Sequence, residues 1–150
     1  MSDPDITQKD TYFVAVKLFL EKEGKLFIFK DKFGAWDLPG GRIKKQEFET
    51  PLEDVIARKI REELGDALHY SVDPRPEVLM RHERIEASPG NPIVHIFGIG
   101  YRAQWTSGEP KLSDAHTEIK WVNIKTFMPE EYFTGGWRKG VQEYLALRRK

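Results

Sequence analysis

The chain is predicted to fold as one mixed α/β domain, and three observations lead there. Short runs of aromatic and β-branched residues and two segments of helical periodicity follow in the order strands, helix, strands, helix. No internal repeat, low-complexity tract or linker interrupts that order. The length, 150 residues, suits one ordinary core and leaves little room for a second, so 1–150 is read as a single domain.

Residues 1–10 are polar and read as a loose lead-in. Tyr12–Leu20 reads as a strand and Lys25–Lys30 as its hairpin partner, joined through Glu21-Lys22-Glu23-Gly24. Residues 31–49 read mostly as loop, with a short strand near Ala35–Leu38 and a tight turn at Pro39-Gly40-Gly41. Residues 50–64 form the clearest helix. Thr50 is the expected N-cap, Pro51 loses nothing in the first turn, and Glu53 completes a capping box. Leu52, Val55, Ile56, Ile60 and Leu64 then recur at helical spacing, and Gly65 stops the run. Val78–Glu86 and Ile93–Gln104 alternate as strands around a Ser88–Pro92 turn, and Glu118–Asn123 is another short strand. A last helix is expected over Trp137–Arg149, with Trp137, Val141, Tyr144 and Leu145 on one face.

Composition narrows the function. Lys and Arg total 24, as do Asp and Glu, which weighs against a polyanion binder acting through bulk charge. There is no cysteine, so disulfide frameworks, thiolate metal sites and cysteine nucleophiles are excluded. The apolar stretch Tyr12–Leu20 is broken by Lys17 and is far shorter than a membrane span, and MSDPDITQKD does not resemble a signal peptide. A cytoplasmic location is expected.

The chemistry lies between Leu38 and Gly65. Arg58, Lys59, Glu62 and Glu63 share one polar arc of the helix, and Arg58 can pair with Glu62, as Lys59 can with Glu63. Alone, such an arc is the solvated face of an amphipathic helix. Following a glycine-rich backbone turn, two adjacent carboxylates suit Mg²⁺, which prefers oxygen ligands and shares its shell with water and phosphates.

This segment, LPGGRIKKQEFETPLEDVIARKIREELG, resembles the Nudix hydrolase signature. Gly41 matches its first glycine, and Arg58, Ile60, Glu62, Glu63 and Gly65 match its second half in register; Trp36–Gly40 resembles the approach to the motif. The sequence departs in three places. Gly41 and Arg58 are seventeen residues apart where the pattern has fourteen, so its middle Glu falls on Glu47 or Glu49, with Glu49 preferred because it precedes Thr50. Lys59 stands at a motif Glu, and Asp66 replaces the final aliphatic residue. An ammonium cannot ligate Mg²⁺ and is a poor base at neutral pH.

The resemblance implies an α/β/α sandwich with a mixed central sheet, and Mg²⁺-dependent hydrolysis of a nucleotide or nucleoside diphosphate derivative by in-line water attack on phosphorus. Mn²⁺ is an alternative ion. Glu62, Glu63, Glu49 and the backbone of Gly41 are the implied metal ligands, and Arg58 orients Glu49 or Glu62. Glu62, Glu118 and His116 are candidate bases; Glu118 lies in a segment before a strand from which the family often supplies an extra carboxylate. Lys59, Arg81 and Trp36 are candidate substrate contacts; Tyr12, Phe33, His82 and Arg84 are weaker ones. Trp121 and Trp137 are assigned to packing. Lys59 favours a second reading, a Nudix-fold binding or regulatory domain without turnover. An RNA 5′ end is a further substrate to consider, weakened by the zero net charge. No membrane partner is expected, and a homodimer is compatible.

Overall fold

The computed structural model describes residues 6–150. Residues 1–5 of the expected lead-in lie outside the described residues; Ile6–Asp10 are exposed. The strands are β1 (Tyr12–Lys22), β2 (Lys25–Asp31), β3 (Trp36–Asp37), β4 (Gly40–Arg42), β5 (His69–Ile85), β6 (Ile93–Ser107) and β7 (His116–Asn123). The helices are α1 (Leu52–Leu64) and α2 (Gly135–Arg148), with short 3₁₀ turns at Lys45–Glu47 and Pro129–Glu131.

The strands form one mixed seven-stranded sheet ordered β3-β2-β1-β6-β5, with β4 added to β1 and β7 to β2. β1 runs parallel to β6 from Tyr12↔His95 to Glu21↔Gln104. Parallel neighbours need a long crossover, and the segment carrying α1 supplies it. β1 and β2 pair only at the base of their hairpin, Glu21↔Leu26 and Lys22↔Lys25. Beyond that point β1 takes β4 as its neighbour, Lys17↔Gly40 and Val16↔Gly41. This fork in the sheet is where the site is built.

Alternation along β1 and β2 separates two cores. Val16, Leu18, Leu20, Phe27 and Phe29 meet Val55, Ile56, Ile60 and Leu64 of α1. Phe19, Leu26 and Ile28 meet Val78, Met80 and, from α2, Val141, Tyr144 and Leu145. A helix on each face makes the expected α/β/α sandwich. Each fully buried aliphatic side chain contributes about 1.5–3 kcal/mol, so the two faces hold the helices without strong intrinsic propensity. At the end of β1, Glu21 is buried. It accepts hydrogen bonds from the Tyr144 hydroxyl and from Arg148 (Nε 2.7 Å, Nη2 3.1 Å), which ties α2 to the sheet.

Several local expectations are corrected. Gly40 and Gly41 are strand residues rather than the centre of a turn, because β1 offers them an open edge. Pro51, not Thr50, caps α1; its carbonyl accepts from Asp54 and Val55, and no side-chain capping bond forms. β5 begins at His69, well before Val78, and tolerates Pro74 and Pro76 because the ladder slips register between Val72 and Val78. α2 begins at Gly135, two residues before Trp137. Gly136 and Gly140 let it lie close on β5: a Cβ on Gly136 would collide with the Arg81 carbonyl, and one on Gly140 with the Met80 side chain.

Candidate active site

The site starts with Lys17, the one charge inside the apolar run of β1. Its side chain is buried and lies at the fork, where Nζ donates to both oxygens of Asp37 (3.0 and 3.1 Å) and to the Leu38 carbonyl (3.2 Å). β4 then brings Gly40 alongside. Its φ of +136° and the nearness of the Val16 carbonyl, which a Cβ would strike, restrict this position to glycine. The Gly40 N–H donates to Glu63 Oε1 at 2.8 Å.

Glu63 therefore points inward from the last turn of α1 and is only 7% exposed. It is not part of the solvated arc that helical spacing suggests. Burial pushes its pKa up to about 7; the nearby Lys17 charge, the Gly40 N–H and Lys59 pull the other way. His116 closes the far side, with Nε2 at 3.9 Å from Glu63 Oε2 and its ring stacked on Phe29 at 3.7 Å. Burial lowers the pKa of His116.

Arg58 organises the second carboxylate. It grips Glu47 with two bonds, Nε to Oε2 at 2.8 Å and Nη2 to Oε1 at 2.7 Å, and it reaches Glu62 through Nη1 at 3.2 and 3.3 Å. The Lys44 N–H also donates to Glu47. These bonds, Arg58 first, hold the Glu47 carboxyl below its usual range, and Glu47 in turn raises the Arg58 pKa. Lys59 pairs with Glu62 at 3.6 Å, not with Glu63. Partial burial opposes ionisation of Glu62, but Arg58 and Lys59 outweigh it and its pKa is lowered.

The partner of Arg58 is thus Glu47, whereas Glu49 is exposed. Counting forward from Gly41 thus reaches the Glu that Arg58 holds, with the additional residues falling after it. Glu118 pairs with Lys30 at 3.2 Å and lies outside the cleft that Glu63 lines. Register decides this: Glu118 faces Lys30 across the β2–β7 ladder, while the bulge beside Asp31 turns His116 towards Glu63. Arg81 is absent from the lining of the Glu63 cleft and lines a different hollow with Tyr12, His95 and His82. Phe33 is exposed, beneath Lys32.

Glu63 sits in a cleft of about 450 Å³ whose walls also carry Lys17, Arg42, Lys44, Arg58, Lys59 and Arg84. Asp37 and Glu86 are its other acids, so cations outnumber carboxylates on this wall although the whole chain is neutral. A second hollow of about 280 Å³ shares Asp37, Arg84 and Trp137 with the cleft and adds Trp36, Tyr132 and His82. Trp36 meets Tyr132 edge-on at 5.4 Å, and Trp137 stacks on His82 at 4.6 Å. Trp137 is thus both a packing residue and a wall of the cleft. Lys17, Asp37 and Arg42 escaped the sequence reading; a lone lysine inside an apolar strand was the available signal for the first.

The carboxylates fit a divalent cation of a particular kind. Among the described residues no group of three His, Asp or Glu is placed to hold a metal. Glu62 and Glu63 provide two carboxylates, which suffices for Mg²⁺ when water and phosphate oxygens complete its shell. Among the described residues the nearest charged partner of Glu63 Oε2 is His116 Nε2, at 3.9 Å.

Comparison with known proteins identifies the family and the fold. A family model described as the NUDIX domain matches residues 11–141. The chain belongs to the Nudix hydrolase family. Among solved structures it is similar to the MutT NUDIX hydrolase of Burkholderia pseudomallei, at 25% identity over 89% of this chain and 98% of that one, with a TM-score of 0.63. The MutT protein of Methanosarcina mazei shares 20% identity, covers 95% and 99% of the two chains and superposes with a TM-score of 0.68. An ADP-ribose pyrophosphatase of Streptococcus suis has the same fold, with 14% identity, 93% and 94% coverage and a TM-score of 0.62. No curated protein matches the sequence significantly. No described helix is long and apolar enough to cross a membrane.

Proposed function

We propose that the chain is a Mg²⁺-dependent, cytoplasmic pyrophosphohydrolase that cleaves the diphosphate of a nucleotide or nucleoside diphosphate derivative. The observation that carries this reading is the placement of Glu63. It is a buried carboxylate held by the Gly40 N–H at the floor of a cleft whose rim is cationic. A diphosphate brings the negative charge that such a rim attracts, and its oxygens complete the shell that two carboxylates leave open. The names of the solved relatives, a pyrophosphatase among them, support the same class.

Glu62 and Glu63 would hold the cation, with the Gly41 backbone as a further oxygen donor and Mn²⁺ as a substitute ion. When bound, it neutralises charge on the diphosphate oxygens. The protein's own groups position the rest. Arg58 fixes Glu62 and ties α1 to the loop through Glu47. Lys17, Arg42, Lys59 and Arg84 are within the cleft to bind phosphate oxygens. Trp36, Tyr132 and Trp137 offer aromatic surface in the adjoining hollow for a base or sugar. Glu118 reaches the reaction only by leaving Lys30, and Arg81 only for a substrate that extends around β5.

The test is Mg²⁺-dependent release of phosphate or nucleotide across nucleotide sugars, dinucleotides and nucleoside triphosphates, with Glu63→Gln as control. Turnover that disappears in the variant supports hydrolysis. Tight binding without turnover under Mg²⁺ or Mn²⁺ supports the second reading, a binding module, which Lys59 at the carboxylate pair favours.

A further inference from the structure

The side chain of Lys59 lies directly over Gly41. A Cβ on Gly41 would clash with its stem, 2.9 Å from Cδ and closer still to Cε. Its ammonium reaches Glu62 Oε2 at 3.6 Å, and its charge also acts on Glu63. The place between the glycine backbone and the two carboxylates is therefore covered by a cationic arm. Arg58 adds a second charge at Glu62, and Lys17 another near Glu63. A dication approaching this pair alone meets one carboxylate, Glu62, that already has two cationic partners, and a second, Glu63, on which the charges of Lys17 and Lys59 act through space. A diphosphate changes that balance. Lys59 has a flexible stem and a rotatable ammonium, its side chain is 29% exposed, and the cleft it lines is where the diphosphate would sit.

We propose that Lys59 makes divalent-cation binding conditional on the diphosphate: the ammonium covers the Glu62–Glu63–Gly41 corner in the free protein, and diphosphate oxygens draw it off. The inference rests on the metal-assisted reading above and adds an order of assembly to it. Arg58 does not take this part, because its two bonds to Glu47 hold it in place. By linkage, a cation that binds better with diphosphate also tightens diphosphate binding by the same factor.

The experiment measures Mn²⁺ binding to the full chain by the loss of the free-ion electron paramagnetic resonance signal. It is run with Mn²⁺ alone and, by calorimetry, with a preformed complex of Mn²⁺ and non-hydrolysable imidodiphosphate. In the parent protein Mn²⁺ alone is expected to bind weakly, and the complex roughly tenfold or more tightly than either component predicts. Lys59→Gln is expected to bind Mn²⁺ alone at least about tenfold more tightly than the parent and to lose most of the coupling. Lys59→Arg, which keeps the charge, should retain weak binding of the lone ion. Equal Mn²⁺ affinity in the parent and Lys59→Gln, with no coupling in either, would overturn the role of Lys59 while leaving the metal-assisted reading standing. Absence of Mn²⁺ binding in every protein and condition, imidodiphosphate included, would overturn that reading and the inference with it.

Discussion

Replacing Glu63 by Gln is expected to remove hydrolysis and, at pH 8, to stabilise the protein. Burial raises the Glu63 pKa from an ordinary 4.5 to about 7. The native chain therefore keeps a proton that the unfolded chain releases between those two values. Stability falls as pH rises through that window and is level above it. A shift of two to three units at 1.36 kcal/mol each sets the cost of the ionised carboxylate at about 3 kcal/mol. Gln resembles the protonated acid in shape and can still accept from the Gly40 N–H. In a protein of this size the gain corresponds to roughly 6–12 °C in Tm at pH 8, shrinking to nothing near pH 4. Urea denaturation at a series of pH values, in EDTA so that no divalent cation contributes, measures both curves. Parallel curves for the parent and Glu63→Gln, or a variant less stable at pH 8, would refute the reasoning.

Other predictions follow from the same structure. Glu47→Gln and Arg58→Ala are expected to reduce activity together and to lower Tm, whereas Glu49→Gln should leave both unchanged; kinetics and thermal melts on the three variants decide whether Glu47 is the partner. Tyr144→Phe takes one donor from the buried Glu21 and should cost about 1–3 kcal/mol in urea denaturation. Although burial opposes it, bonding to Arg148 and Tyr144 keeps the Glu21 pKa below its ordinary value, so its contribution is present at neutral pH and is lost as pH falls through the native pKa. The parent should show that acid-side loss, and Tyr144→Phe a smaller one. His95 touches Glu83 and Asp10 through its two ring nitrogens, and these bonds, Glu83 first, raise its pKa. The link from β6 to Asp10 is thus complete in the imidazolium form and weakens as pH rises through the native pKa; amide exchange at Asp10–Tyr12 should speed up there, and His95→Gln should abolish the change.

Much of the scaffold was legible because its signals are local. The hairpin of β1 and β2 and the apolar stripe of α1 appear as periods of two and 3.6 that no distant contact needs to supply. β4 was not legible: Gly40-Gly41-Arg42 has no strand propensity and pairs only because β1 leaves β2 after Leu26. The start of α1 was misplaced because Thr50 and Glu53 satisfy a capping pattern that Pro51 preempts. The expected line of charge on α1 failed at Glu63, since helical spacing names neighbours on a helix but cannot show that another strand covers one of them.

By itself the sequence determined the class of the molecule and its chemical vocabulary: a strand–helix alternation, a glycine pair, and a helix ending in two glutamates with a lysine beside them. Those are properties of neighbours along the chain. Only the tertiary structure decided that Glu63 is buried under Gly40, that Arg58 holds Glu47, that Glu118 belongs to Lys30, and that Lys17 sits beside them. Each of these depends on how elements meet in space: α1 against β4 and the 3₁₀ turn for the first two, and for Glu118 the register of β7 on β2, where a slip of one residue turns a side chain to the other face of the sheet.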